Sequence, residues 1–278
     1  MTDPQRSLYC FGLGYSALQL AARMGASGWR IGGTVRSEGK AESLRMRGIE
    51  ADTFDAGMAP PDESDWLVSI PPTDAGCPAF AKAGDWADTA RSITYLSTTG
   101  VYGDLGGAWA FEWSPLNPQS TRAEARVLAE CQWASTNRPL AIVRLPGIYG
   151  PGRSPLDRVR SGSARRIVKP GQVFSRVHVD DIASGLEAIL LTGARGVFHL
   201  TDDEPAPPQD VIAHAAALLG TAPPPEIAIE DADLSPMAAS FYAECKRVSN
   251  ARAKSALGWR PAYPTYREGL AAIAHAEA

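Results

Sequence analysis

The sequence predicts an α/β protein built on a doubly wound parallel sheet, with a small C-terminal domain closing over it. Three observations predict this fold. Strand-like and helix-like segments alternate through the first two hundred residues, a glycine-rich turn joins the first strand to the first helix, and the alternation weakens after residue 201. We therefore expect a larger domain over residues 1–200 and a smaller one over residues 201–278.

Short apolar runs define the strands, and amphipathic segments between them define the helices. The predicted strands cover residues 7–12, 29–35, 50–54, 66–70, 93–97, 140–145 and 197–200. The predicted helices cover residues 15–27, 38–47, part of 78–90, 121–135, 180–191, 207–220 and 265–276. Thr121 and Glu124 have the spacing of a capping box, and Asp180 and Asp181 are expected to cap the following helix.

The composition is that of an ordinary globular protein. Hydrophobic residues make up 45% of the 278 positions, charged residues 21%, and the net charge is −4. This balance does not favour binding to nucleic acid or to an anionic membrane, and no apolar run reaches the roughly 18 residues that span a bilayer. The four cysteines and four histidines are scattered, so we expect no metal site. Without a leader-like N-terminus, the expected location is the cytoplasm.

The turn between the first strand and the first helix has the pattern G-x-G-x-x-A. Gly12 permits a tight turn, Gly14 lets a pyrophosphate approach the backbone, and Ala17 lets the helix pack closely on the strand. The backbone N–H groups of Tyr15 and Ser16 lie at the helix N-terminus, where phosphates bind. The pattern therefore predicts a dinucleotide cofactor, and an ordinary tight turn is the alternative.

The end of the second strand distinguishes NADP from NAD. An NAD-binding protein usually has an acidic residue there, but this chain continues with Arg36 and Ser37. An arginine can pair with a 2′-phosphate through two hydrogen bonds, so we expect NADP(H), with NAD(H) as the alternative cofactor. Asp55, after the third strand, is expected at the adenine edge. The alternative for Arg36 is an exposed side chain at the start of a helix, and the alternative for Asp55 is a structural role in a turn.

Five segments resemble the short-chain dehydrogenase/reductase superfamily, and more closely the atypical subgroup of its NAD(P)-dependent epimerase/dehydratase family. They are CFGLGYSA (10–17), YLSTTGVYGD (95–104), IVRLPGIYGPGR (142–153), SRVHVDDIASGLEAIL (175–190) and KRVSNARAKSALGW (246–259). The resemblance implies a Rossmann domain with a seven-stranded sheet over residues 1–200 and a substrate domain over 201–278. It also implies that residues 146–178 contribute to the substrate side, and that a homodimer is one expected assembly.

The resemblance also implies roles for individual residues. Thr98 occupies the position of a catalytic hydrogen-bond donor, three residues before the V-Y-G sequence. The segment from Pro146 to Tyr149 corresponds to the lining of the nicotinamide pocket. Arg153 corresponds to an arginine that faces the substrate.

The chain departs from the family at its catalytic pair, a tyrosine followed four residues later by a lysine. Arg122 and Arg126 occupy these two positions, and arginine stays protonated at any relevant pH. Arg126 can still bind the nicotinamide ribose, and both arginines can bind an anionic group of the substrate. The alternative is a solvated helix face on which Arg126 pairs with Glu130.

Another proton donor is then needed for catalysis, and Tyr102 and Tyr149 are the candidates, although structural tyrosines are common. Trp109 and Trp113 are expected either to cap the pocket or to pack beneath it. Two functions follow from these residues. One is an NADP(H)-dependent oxidoreductase or epimerase that acts on a small, polar and anionic substrate. The other is a non-catalytic NADP(H)-binding sensor.

Overall fold

Seven parallel strands form the centre of the computed structural model, which describes residues 6–56 and 59–277. The described residues contain further short strands outside this sheet. All strands, in chain order, are β1 Ser7–Phe11, β2 Arg30–Val35, β3 Glu50–Thr53, β4 Asp65–Val68, β5 Ser92–Thr98, β6 Trp109–Ala110, β7 Leu140–Leu145, β8 Gly147–Tyr149, β9 Arg166–Val168, β10 Arg176–His178, β11 Gly196–His199, β12 Glu226–Ala228 and β13 Arg247–Val248. The central sheet has the order β11-β7-β5-β4-β1-β2-β3. The predicted fold class is confirmed.

Helices cover both faces of this sheet. They are α1 Tyr15–Ala26, α2 Glu38–Arg45, α3 Pro78–Ala83, α4 Thr121–Ala134, α5 Pro155–Arg160, α6 Val179–Thr192, α7 Pro208–Leu218, α8 Pro236–Ala243, α9 Ala251–Leu257 and α10 Tyr266–Ala276. One apolar core joins the sheet to α1, α2, α6 and α9, and a second joins it to α3 and α4. None of the helices in the described part of the chain combines the length and hydropathy needed to cross a membrane.

The strand order reverses beside β1, which lies between β2 and β4. The chain runs outward from β1 to β2 and β3, and then returns to place β4 on the other side of β1. In open α/β sheets, ligands bind outside the carboxyl ends of the strands at this point. The turn that follows β1 therefore lies at the expected ligand-binding edge.

Residues distant in sequence build the remaining part of the molecule. Short parallel pairs join β8 to β10, β9 to β12 and β6 to β13. A third core lies between α5, α7 and α10 and contains Leu156, Val211, Tyr266 and Leu270. The β6–β13 pair connects the loop after β5 to the C-terminal part of the chain.

Two helix caps differ from the sequence-based expectation. Ser120, not Thr121, caps α4, because its hydroxyl accepts a hydrogen bond from the backbone N–H of Ala123. His178, not Asp180 or Asp181, caps α6, and its Nδ1 accepts from the backbone N–H of Asp180 at 3.2 Å. Both corrections have the same reason: an N-cap residue has an extended backbone, and the predicted residues already have helical geometry.

Candidate functional site

The turn after β1 is held tightly against β2. The backbone N–H of Gly12 donates to Thr34 Oγ1 at 3.1 Å, and that of Leu13 donates to the Thr34 carbonyl at 2.7 Å. Gly12 has a φ of +94°, and a Cβ there would lie 2.9 Å from Ile70 Cγ1. Both the backbone conformation and the close approach therefore require glycine at this position.

The next glycine, Gly14, faces open space. It has an extended backbone with φ −89°, and a Cβ built on it would have no atom within 4 Å. Gly14 is the N-cap residue of α1, yet no side chain caps this helix and its first turn carries no acidic residue. Within the described residues, the backbone N–H groups of Tyr15 and Ser16 have no hydrogen-bond partner. Space, free donors and the positive end of the helix dipole thus coincide, as a diphosphate requires.

Two contacts hold α1 in place, one with the sheet and one with the loop after β8. Ala17 is fully buried against the sheet, as expected for the last position of the glycine pattern. Tyr15 reaches across the edge and donates a hydrogen bond from its hydroxyl to the Pro151 carbonyl at 3.0 Å. Arg153 is exposed and lies over the Tyr15 ring, 5.9 Å from its centroid. Tyr15 thereby links the first turn of α1 to the loop after β8, a contact that no local pattern in the sequence indicates.

The residues predicted to bind the adenosine half follow β2 and β3 at the same edge. Arg36 comes directly after β2, is exposed, and has no hydrogen-bond or ion-pair partner among the residues that the structure describes. Ser37 is the N-cap residue of α2, but its hydroxyl makes no capping bond. Asp55 is exposed in the short 3-10 helix after β3. All three side chains are therefore accessible to a ligand.

Thr98 ends β5, and its half-buried hydroxyl caps the 3-10 helix Thr99–Tyr102. Its Oγ1 accepts a hydrogen bond from the backbone N–H of Gly100 at 3.2 Å. A hydroxyl that accepts one bond still has its own proton to donate. Pro146 is half-buried at the end of β7, the strand beside β5.

Arg126 binds β5 at Tyr95 and at Leu96, which lies two residues before Thr98. Its Nη1 donates to the Leu96 carbonyl at 2.7 Å and to the Tyr95 hydroxyl at 3.2 Å. Arg122, one turn earlier on α4, is exposed. The alternative in which Arg126 pairs with Glu130 is wrong, because the Glu130 carboxylate binds elsewhere.

Glu130 and Arg144 form a buried ion pair at 2.6 Å, with side chains 6% and 5% exposed. The Arg144 Nε also donates to Glu130 at 3.0 Å, so the pair has two hydrogen bonds. Ser97 donates a further bond to the same carboxylate at 2.5 Å. This cluster joins α4, β5 and β7 directly below the edge that holds Thr98.

A hydrogen-bonded chain continues from Arg144. Its Nη1 donates to the Tyr102 hydroxyl at 2.7 Å, and that oxygen lies 2.6 Å from His199 Nε2. The His199 Nδ1 lies 2.9 Å from the Ser249 carbonyl, which can only accept, so we assign the proton to Nδ1. Burial lowers the pKa of His199 to about 4, which keeps the ring neutral. Tyr102 therefore donates to Nε2.

Neither of the two candidate tyrosines places its hydroxyl at the open edge. Tyr102 is fully buried, its hydroxyl is bonded to Arg144 and His199, and burial raises its pKa to about 12. Tyr149 is buried with its hydroxyl against Gly269, where an added Cβ would clash with the phenolic oxygen. Burial also raises the pKa of Tyr149. Since both protons are held in the interior, we assign neither tyrosine to proton transfer.

Comparison with known protein sequences shows two kinds of relative, and no family profile matches the chain. Protein YeeZ from Escherichia coli K12 is 29% identical over 240 residues, which cover 77% of this chain and 84% of YeeZ. A 3-diazoavenalumate denitrifying reductase from a Streptomyces species is 32% identical over 164 residues. That match covers 53% of this chain and about half, 52%, of the reductase.

Comparison with solved structures gives matches over the whole chain. A conserved protein of unknown function from Silicibacter pomeroyi is 46% identical, with a TM-score of 0.92 and coverage of 98% of this chain and 99% of that one. A putative NAD-dependent epimerase/dehydratase from Methylobacillus flagellatus gives a TM-score of 0.74 at 23% identity, covering 99% of each chain. UDP-glucose 4-epimerase from Thermus thermophilus, in complex with NAD, gives 0.76 at 19% identity, covering 98% of each chain.

Proposed function

Because the chain belongs to the same family as the Silicibacter pomeroyi protein and has the fold of extended short-chain dehydrogenases/reductases, we propose that it is a nicotinamide-dinucleotide-dependent oxidoreductase or epimerase. Its cofactor is NADP(H) in preference to NAD(H). Its substrate is a small polar molecule that binds at the carboxyl edge of β5 and β7.

One observation carries this proposal: the open space beside Gly14, next to the free N–H groups of Tyr15 and Ser16, at the point where the strand order reverses. No side chain fills the space beside Gly14, and the first turn of α1 offers N–H groups without partners among the described residues. The N–H groups at a helix start without a side-chain cap are left to water or to a ligand, and the positive end of the helix dipole favours an anion there. The diphosphate of a dinucleotide has the charge and the shape to do so.

The preference for NADP(H) rests on Arg36. Replacing Arg36 by alanine is expected to weaken NADPH binding about 10- to 100-fold, because the 2′-phosphate loses a charge-assisted bidentate partner. NADH lacks this phosphate, so its affinity should change by less than about threefold. Calorimetric titration of both nucleotides into both proteins measures the difference. Equal losses for the two nucleotides would exclude Arg36 as the group that selects NADP(H).

The chain's own residues have distinct roles in the proposed reaction. The bound nicotinamide supplies or accepts the hydride. Thr98 donates a hydrogen bond from its hydroxyl to the reacting oxygen of the substrate, and its bond from Gly100 holds the hydroxyl in place. Solvent water at this open edge supplies or takes up the proton that accompanies the hydride. Arg126 uses one guanidinium nitrogen to bind β5, which leaves its other N–H groups to donate to the cofactor ribose. Arg122 and Arg153 are exposed and offer positive charge to an anionic substrate.

Thr98 gives the test of catalysis. The Thr98→Val variant keeps the shape of the side chain but removes the hydroxyl, and kcat should fall about 100- to 1000-fold on any substrate found. The Kd for NADPH should stay the same, and Thr98→Ser should keep most of the activity. Steady-state kinetics on a panel of carbonyl compounds and nucleotide sugars provides the measurement. A valine variant with the parental kcat would remove Thr98 from the mechanism.

A second candidate function is a non-catalytic NADP(H) sensor. The arginines at positions 122 and 126 favour it, because neither side chain can release a proton at a relevant pH. Tight NADPH binding together with no turnover of any compound in the panel would support the sensor. Turnover that depends on Thr98 would support the enzyme.

A further inference from the structure

Two aromatic rings lie stacked on the turn Phe111–Ser114, which follows β6; the Phe111 ring is half-buried and the Trp113 ring is exposed. The rings of Phe111 and Trp113 are nearly parallel, at 8°, with centroids 5.0 Å apart. Trp113 is 73% exposed, so one face of the pair remains open to a ligand. With 73% of its surface exposed, Trp113 does not pack beneath the pocket, and the stack leaves the outer face of its ring free.

The turn that carries the pair is fixed in one conformation. Two hydrogen bonds close it, from the Phe111 N–H to Ser114 Oγ and from the Ser114 N–H to the Phe111 carbonyl, both at 2.9 Å. Glu112, between the two rings, points inward and is only 5% exposed. Its carboxylate accepts from the backbone N–H of His199 at 3.2 Å, and its carbonyl accepts from Arg144 Nη1 at 3.3 Å.

Anchoring this turn costs free energy. Burial raises the pKa of Glu112, which shows that its charge is poorly solvated. The two bonds to Arg144 and His199 offset part of this cost and connect the turn to the ion pair below Thr98. Glu112 thus holds the turn so that the half-buried Phe111 ring supports the exposed Trp113 ring, which is how a pre-organised binding surface is built.

The same turn is continuous with the proposed catalytic edge. The backbone N–H of Asn117 donates to the Val101 carbonyl at 3.0 Å, and Val101 belongs to the 3-10 helix that Thr98 caps. Ala110 packs with Val101 and Tyr102 in a small buried cluster. The chain then enters α4, which carries Arg122 and Arg126. The stacked rings thus lie on the segment that connects Thr98 to the two arginines.

We propose that the Phe111–Trp113 pair is a stacking platform for a planar conjugated ring of the substrate. This inference rests on the proposed function, because it assigns the substrate class of the same edge. A flat, exposed and rigid aromatic face gains most from a flat partner, since stacking adds to the burial of apolar area. A saturated ring of similar size gains the burial but not the stacking.

The test compares two acids with the same carbon skeleton and the same charge, the planar aromatic 2-naphthoate and the saturated, non-planar decahydro-2-naphthoate. Each is titrated by calorimetry into the protein with and without saturating NADP⁺, so that binding is measured whether or not the cofactor binds. The parent protein should bind the planar acid about tenfold more tightly. Trp113→Ala should remove this preference, whereas Trp113→Phe should keep part of it.

Trp86→Ala provides the matched control. Trp86 is also exposed, at 41%, but lies in the 3-10 helix Gly84–Thr89, which precedes the amino end of β5. This variant should keep the preference for the planar acid.

Equal affinity of the parent for both acids, no binding of either, or an unchanged preference in Trp113→Ala would overturn the platform. A change from dimer to monomer in Trp113→Ala with the preference intact, measured by light scattering, would instead assign the rings to a contact between subunits. If NADP⁺ fails to bind while the preference depends on Trp113, the proposed function fails and the platform stands.

Discussion

The Gly14→Asp variant is expected to lose cofactor binding by at least about a hundredfold while it folds as stably as the parent protein. The two effects separate because of where Gly14 lies. Its Cβ position is open and its backbone is extended, so an aspartate fits without strain. An aspartate at an N-cap also stabilises a helix, by about 0.3 kcal/mol relative to glycine.

The same carboxylate would occupy the place proposed for the diphosphate. It would accept the free N–H groups of the first turn of α1 and repel the phosphates, so the variant gains a cap and loses the anion site. Thermal unfolding measures the first effect, and calorimetric titration with NADPH measures the second.

Ala22→Glu is the charge-matched control for this variant. Ala22 lies on the exposed side of the same helix, α1, far from its N-terminus. This variant should bind NADPH with nearly the parental affinity. If Gly14→Asp binds NADPH as tightly as Ala22→Glu does, the diphosphate does not lie at this turn.

Breaking the buried ion pair should have the largest effect on stability. Glu130→Ala is expected to lower the free energy of unfolding by about 3–5 kcal/mol, because it leaves the Arg144 guanidinium buried without a counter-charge. The variant also removes the acceptor of the Ser97 hydroxyl. Urea denaturation, with the slope of the transition compared between proteins, measures the loss.

A double variant separates the charge effect from the loss of volume. Glu130→Leu combined with Arg144→Met replaces the pair by apolar side chains of similar size, and such replacements are often close to neutral. The double variant should therefore be more stable than Glu130→Ala. A loss below about 1 kcal/mol for Glu130→Ala would show that Arg144 is solvated and that the pair does not organise the edge.

The sequence is sufficient to predict the central sheet, because strands such as β1, β4, β5 and β7 are runs of residues whose apolar side chains must be buried. It misses the short strands outside that sheet, which have two or three residues each: β6, β8, β9, β10, β12 and β13. A segment that short has no periodicity, and its pairing depends on a partner far along the chain: β8 pairs with β10, and β9 with β12. The cap of α4 is displaced by one residue because Ser120 and Thr121 both suit the role by type, whereas α6 is capped by His178, a residue type that the N-cap preference does not predict.

In the candidate site, too, the sequence identifies the residues that a local pattern marks and misses those that depend on a distant partner. Gly12 and Gly14 can be identified locally, because a turn between a strand and a helix has specific backbone requirements. The partner of Glu130 is Arg144, fourteen residues away, and Tyr102 bonds to His199, ninety-seven residues away. One signal was present in the sequence: Arg144 interrupts the otherwise apolar strand LAIVRL (140–145). A charged residue in a buried strand requires a buried partner.

The central claim is that the turn after β1 holds a nicotinamide dinucleotide. Calorimetric titration of the purified, unmodified protein with NADPH and with NADH tests it most directly. We predict saturable binding of one NADPH per chain with a Kd in the micromolar range or below, and weaker binding of NADH. Absence of binding heat for both nucleotides, confirmed by equilibrium dialysis, would contradict the claim.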